Sequence, residues 1–228
     1  MVPGEPNGLS RDGGAVEPIL ARVTGQTQQD RGQLLFVCTG NICRSPTAEL
    51  LTKRELRRLG STGPTVTSVG LNSLAGSPID PAMASLLAAD GIDPSSFRAR
   101  DITQADALGA ALILTATRSQ KGEIAVRWPR TLPRTFTILE FIRLSSSVAH
   151  APGRLDDLVA ATASERAYGG VRAVGLDIAD PHLRSRRAYD RCYRQLTAAA
   201  TQIADAIGRT NPGPAATPGG PKQSGPGE

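Results

Sequence analysis

From residue 33 onward, short apolar runs alternate with longer stretches in which apolar positions recur at helical spacing. Leu34-Leu35-Phe36-Val37 is continuously apolar, as a strand buried on both faces would be. Ser45-Pro46 follows, placing Ser45 as an N-cap and Pro46 at the first helical position, and predicts a helix to about Leu59. Thr65-Val66-Thr67-Ser68-Val69 is β-branched and reads as a second strand. Pro81 to Ala89 reads as a helix closed by Asp90-Gly91. The longest apolar segment, Ala107 to Leu114, fits a helix end running into a third strand over Ala111-Leu112-Ile113-Leu114. Phe136-Thr137-Ile138-Leu139 is the candidate fourth strand. A last helix, about Ser185 to Ile207, carries Tyr189, Cys192, Leu196, Ala199, Ile203 and Ile207 on one stripe.

Strands alternating with helices predict an α/β fold of three layers around a parallel sheet. Residues 145–175 interrupt the rhythm and read as an insertion with its own helix near Leu155 to Ala167. Residues 1–32 and 209–228 are rich in Pro, Gly and polar side chains and bury too little apolar surface to offset chain entropy. Both are expected to be disordered tails flanking one domain at 33–208.

Composition narrows the function classes. Aromatics are only 4 % of the chain, so Leu, Val, Ile and Ala must build the core. The formal charge of +5 is modest and lies on helix faces such as Lys53 to Arg58 and Arg184 to Arg194. A nucleic-acid partner is not expected, because such a surface pairs a stronger basic stripe with stacking aromatics. No apolar stretch approaches the ~20 residues that cross a bilayer, and Met1 to Arg31 has no run of signal-peptide length. Three cysteines, two of them five positions apart, do not make a disulfide framework, which points to a reducing cytoplasm. With only His150 and His182, a zinc site would have to gather distant ligands, so no metal is expected.

The chemistry is concentrated in Val37-Cys38-Thr39-Gly40-Asn41-Ile42-Cys43-Arg44-Ser45-Pro46. A buried strand ends in a cysteine, five residues follow, then Arg-Ser, and a helix begins. Such a loop curls its backbone N–H groups inward at a helix N-terminus, which makes an anion site. Gly40 and Asn41 are residue types that tolerate the positive φ such a curl needs. Arg44 adds a planar fork that matches two phosphate oxygens. Cys38 lies at the base of this positive bowl, whose field favours its thiolate, and Ser45 can donate a hydrogen bond to that sulfur. A Walker-type nucleotide loop is not supported, since no Gly-Lys-Ser/Thr follows Gly40 at the required spacing.

Val37 to Pro46 closely resembles the phosphate loop of the low-molecular-weight protein-tyrosine-phosphatases. The resemblance continues in order through Ser68-Val69-Gly70, Ile79-Asp80-Pro81, Gly91-Ile92-Asp93 with Arg98-Ala99-Arg100, Leu112 to Thr115 with Thr117-Arg118-Ser119, and Asp180-Pro181. It implies a flavodoxin-like fold with strand order 2-1-3-4 and a phosphatase that needs no cofactor. It also implies a cysteinyl-phosphate intermediate on Cys38. Arg44 and the loop from Thr39 to Cys43 would hold the phosphate, with Asp180 as general acid. Asn41, Ser45 and Ser68 would hold the loop in shape, and Cys43 would form a protective disulfide with Cys38 under oxidation. Asp177 is the rival acid. The substrate would be a phosphorylated protein or a small phosphomonoester. The oligomeric state is not implied.

The chain departs from the family where His182-Leu183 and Leu71 to Leu74 stand in place of aromatics that wall the phosphotyrosine cleft, and where Phe97 precedes Arg98. The insertion at 145–175 lies just before the acid loop and could cover the cleft. Two other functions fit the same loop: an arsenate reductase of this fold, or a phosphate or phosphopeptide binder of low activity. The thioredoxin-coupled reductase needs two further relay cysteines, and only Cys192 lies outside the loop.

Overall fold

The computed structural model describes residues 32–61, 63–148, 154–169 and 175–210. The expected disordered tails fall almost wholly outside these. Four parallel strands form the sheet: β1 (Gln33–Cys38), β2 (Thr65–Gly70), β3 (Leu112–Thr115) and β4 (Thr135–Thr137), in the order β2-β1-β3-β4. That is the order the sequence implied. Alternate residues of β1 serve opposite faces, as the two-residue period of a strand requires. Leu34 and Phe36 join the larger core, with α1 (Arg44–Arg58), α2 (Pro81–Ala89) and α7 (Arg186–Thr210). Leu35 and Val37 join a smaller core with Ala107 of α3 (Gln104–Gly109) and Ile124 of α4 (Arg118–Arg127). All six residues of the α7 stripe are buried.

Two boundaries differ from expectation, each for a local reason. The helix after the phosphate loop begins at Arg44, with Cys43 rather than Ser45 at the N-cap and Pro46 two residues inside it. Ser45 is not free to cap, because its hydroxyl is engaged by the Cys38 sulfur and by Asn41. The fourth strand stops at Thr137, and Ile138 and Leu139 open α5 (Ile138–Ser145) instead. The Thr137 hydroxyl accepts from Glu140 N–H while the Glu140 carboxylate accepts from Thr137 N–H, a capping box that starts a helix there.

The segment expected as an insertion contains α6 (Leu155–Gly169), and this helix belongs to the main core. Leu155, Leu158 and Val159 are buried in the larger cluster. The Arg166 guanidinium lies 3.9 Å over the Phe136 ring and pairs with Glu140 at 3.0 Å. Among the described residues no helix is long and apolar enough to cross a membrane.

Candidate active site

β1 ends at Cys38 and α1 begins at Arg44, so the intervening loop must reverse within five residues. Positive φ falls on Asn41 (54°), whereas Gly40 does not adopt it. Asn41 is completely buried, and its side chain holds the curl from inside: Nδ2 donates to Ser45 Oγ (2.9 Å) and Ser68 Oγ (3.0 Å), while Oδ1 accepts from Arg100 N–H (3.0 Å). Ser45 Oγ lies 3.0 Å from Cys38 Sγ and 3.3 Å from the Val69 carbonyl. The backbone of 71–74 is laced to the loop through Leu71 N–H to Cys38 O, Asn72 N–H to Thr39 O and Leu74 N–H to Gly40 O. Ser45, Ser68 and Asn41 thus form one buried scaffold behind the loop.

The loop faces a cavity of about 260 Å³, lined by Cys38 to Gly40, Ile42 to Arg44, and across from them Asn72, Leu74, Asp180 and His182. Among the described residues its only ring is the His182 imidazole, in keeping with the aromatic-poor wall expected from the sequence. No described residue of α6 lines this cavity.

Arg44 crosses the floor to the opposite wall. Its Nη1 donates to Ile178 O at 3.4 Å, and its Nη2 pairs with Asp180 Oδ2. The buried Arg44 Nε has no hydrogen-bond partner among the described residues. Asp180 is half-exposed and faces the cavity, whereas Asp177 is turned away, taking both Nε and Nη2 of Arg118 and the Arg118 N–H (2.7 Å). Those Arg118 hydrogen bonds hold the Asp177 carboxyl below the usual carboxylate range. Asp177 therefore ties the 177–180 segment to the start of α4.

Several contributors carried no signal by themselves in the sequence. Gln120 Nε2 donates to Thr39 Oγ1 (3.0 Å), fastening α4 to the loop. Its pairing with Thr117 in a capping box was legible as Thr-x-x-Gln, although its reach to Thr39 was not. His182 Nδ1 lies 3.2 Å from Asp80 Oδ2, and the Tyr189 hydroxyl donates to the same oxygen at 2.9 Å. Leu183, 85 % exposed, adopts φ 58°, a left-handed conformation costing a leucine about 1 kcal/mol or more, right beside this wall.

Cys43 and Cys192 are buried thiols. Burial pushes Cys192 up to about 12, and burial with the neighbouring carboxylates Asp80 and Asp180 raises Cys43 further. Tyr189 and Tyr193, which could have been read as stacking aromatics, are buried with their hydroxyls on Asp80 and Asp90.

A nest of backbone amides closed by an arginine, with a cysteine at its base at the end of a central parallel strand, defines a class of phosphate-handling cysteine enzymes. Residues 33–152 match the family model described as low molecular weight phosphotyrosine protein phosphatase. A probable low molecular weight protein-tyrosine-phosphatase, EpsP, from Ralstonia nicotianae is 39 % identical over 107 residues, covering 47 % of this chain and 70 % of that protein. The low molecular weight protein-tyrosine-phosphatase Wzb of Salmonella typhi is 33 % identical over 175 residues, covering 77 % and 93 %. The solved low molecular weight protein tyrosine phosphatase from T. tengcongensis superposes with a TM-score of 0.59 at 26 % identity, covering 76 % of this chain and 98 % of that one. The chain belongs to the low-molecular-weight protein-tyrosine-phosphatase family, and it is a phosphatase of that type. The arsenate reductase reading is not favoured.

Proposed function

We propose that this protein hydrolyses phosphotyrosine on proteins in the cytoplasm by a two-step transfer through Cys38. The Cys38 thiolate attacks phosphorus in line, forming the S–P bond as the P–O bond to the leaving phenol breaks. Asp180 donates its proton to that phenolate, then takes one from the water that cleaves the S–P bond and releases phosphate. Arg44 and the amides of Thr39 to Arg44 hold the equatorial oxygens, so catalysis is mostly positioning and electrostatics.

The observation that carries this reading is the convergence of Cys38, Arg44 and Asp180 on one cavity, with Ser45 Oγ 3.0 Å from the Cys38 sulfur. The buried, unpartnered Arg44 Nε supports it, because such a donor suits a phosphate oxygen. The Asp180 ion pair to Arg44 keeps the acid at the cavity wall. Three free, buried cysteines suit a reducing compartment.

Hydrolysis of p-nitrophenyl phosphate tests the assignment. Wild type turns over, Cys38→Ser is inactive, and Asp180→Ala loses about 10²–10⁴-fold, the usual share of general acid–base catalysis. Full activity of Cys38→Ser would refute the mechanism. A phosphotyrosyl peptide against phosphoseryl and phosphoarginyl peptides then reads the substrate class directly.

A further inference from the structure

We propose that Cys43, Asp80 and His182 form a zinc-binding site at the lip of the phosphate loop, and that filling it shuts the active site reversibly. The inhibitory half of this proposal rests on the phosphatase reading; the binding half does not.

The three groups are far apart in sequence and come from the end of the phosphate loop, the N-cap of α2 and the residue after Asp180-Pro181. Their ligand atoms lie within 4.8 Å of one another. His182 Nδ1 and Asp80 Oδ2 are 3.2 Å apart, close to the ~3.4 Å between two ligands of a tetrahedral zinc ion bound at about 2.1 Å. The sulfur needs to close by little more than about 1 Å to reach its ~3.6 Å ligand spacing. The remaining Asp80 contacts are those of an ordered metal ligand. Oδ1 accepts from Ala82 N–H at 3.0 Å, and Oδ2 accepts from the Tyr189 hydroxyl at 2.9 Å.

Charge and chemistry agree with that geometry. The Asp80 carboxylate beside the His182 imidazole supplies a negative charge to an ion held between them. Thiolate, imidazole and carboxylate together select zinc, or cobalt(II) in its place, over magnesium or calcium. Ligation exchanges the Cys43 thiol proton, released to solvent, for the metal. Cys43 and His182 both line the catalytic cavity, so an ion held between them narrows its mouth beside Cys38 and Arg44.

Cobalt(II) titrated into the intact Cys38→Ser protein separates this site from the nucleophile. The thiolate-to-cobalt absorption is expected to saturate at one equivalent and to vanish when Cys43→Ser is added. His182→Ala, at a half-exposed position, is expected to weaken binding at least about tenfold, since losing even an outer-shell partner costs about 10–100-fold. Tyr189→Phe, a milder change, is expected to weaken it about tenfold. In wild type, zinc is expected to inhibit p-nitrophenyl phosphate hydrolysis, a chelator to restore it, and His182→Ala to resist. An enzyme with no hydrolysis at all would defeat the phosphatase reading while leaving the cobalt band to decide the metal site. A missing band in Cys38→Ser, or one indifferent to His182, overturns the proposal.

Discussion

Asp177 and Asp180 lie three residues apart and do different work. Asp180 meets Arg44 at the cavity, while Asp177 is occupied by Arg118 outside it. Asp177→Asn is therefore expected to keep kcat within about tenfold of wild type, against the 10²–10⁴-fold loss for Asp180→Ala. The same variant has a pH signature. Arg118 lowers the Asp177 carboxyl, so the stability it contributes is present above the ordinary carboxylate range and disappears as pH falls through its lowered folded value. Because the side chain is 39 % exposed, that contribution belongs to the surface-pair range of about 0.2–1 kcal/mol. Thermal unfolding of wild type against Asp177→Asn is expected to show a small gap at neutral pH that closes in strong acid. Sequence alone named both aspartates but could not choose between them by spacing, since what separates them is the position of Arg118, 59 residues away.

At the scale of elements, the loop's shape depends on the strand beside it. An atom added at Gly70 Cβ would stand 2.4 Å from the Thr39 carbonyl oxygen and 2.9 Å from Ser73 Cβ, with neither able to yield as a flexible tip would. Gly70→Ala must push the phosphate loop out of register. A displacement of about 1 Å in such a site costs about 100-fold in rate, so kcat/KM toward p-nitrophenyl phosphate is expected to fall by that order. Unchanged kinetics would show that the loop is not held against β2. The strand–loop–helix order was legible because β1 is a plain apolar run and α2 carries Asp-Pro at its start. The end of β4 was not, because Ile138 and Leu139 continue the apolar run and only Thr137 with Glu140 marks the switch to a helix. The cap of α1 was misplaced for a related reason. Ser45 has the right residue type for an N-cap, but its hydroxyl serves the Cys38 sulfur.

The whole molecule brings together what the chain separates. Residues from β1's end, from 72–74 and from 180–182 line one cavity at the carboxyl end of the parallel sheet, where open α/β folds place their ligand sites, and Asp80 at the start of α2 reaches it through His182. The nucleophile and its arginine were legible because one loop carries both at fixed spacing. The His182–Asp80–Tyr189 cluster was illegible because Asp80 lies more than a hundred residues from the other two and meets them only where α7 packs beside α2. The helix at 155–169 was legible as a helix, but its place in the core depends on partners in α5 and α7 that local pattern does not reveal.

The central claim is that Cys38 carries the phosphoryl group between the two steps. Rapid mixing of Asp180→Ala with p-nitrophenyl phosphate tests it most directly, because a good leaving group needs little help to depart while hydrolysis of the S–P bond still lacks its base. A burst of p-nitrophenol equal to the enzyme present, with phosphate recovered on the Cys38 peptide and neither seen in Cys38→Ser, is the predicted result. Phosphate released without a burst and without label on Cys38 would contradict it and place direct attack by water in its stead.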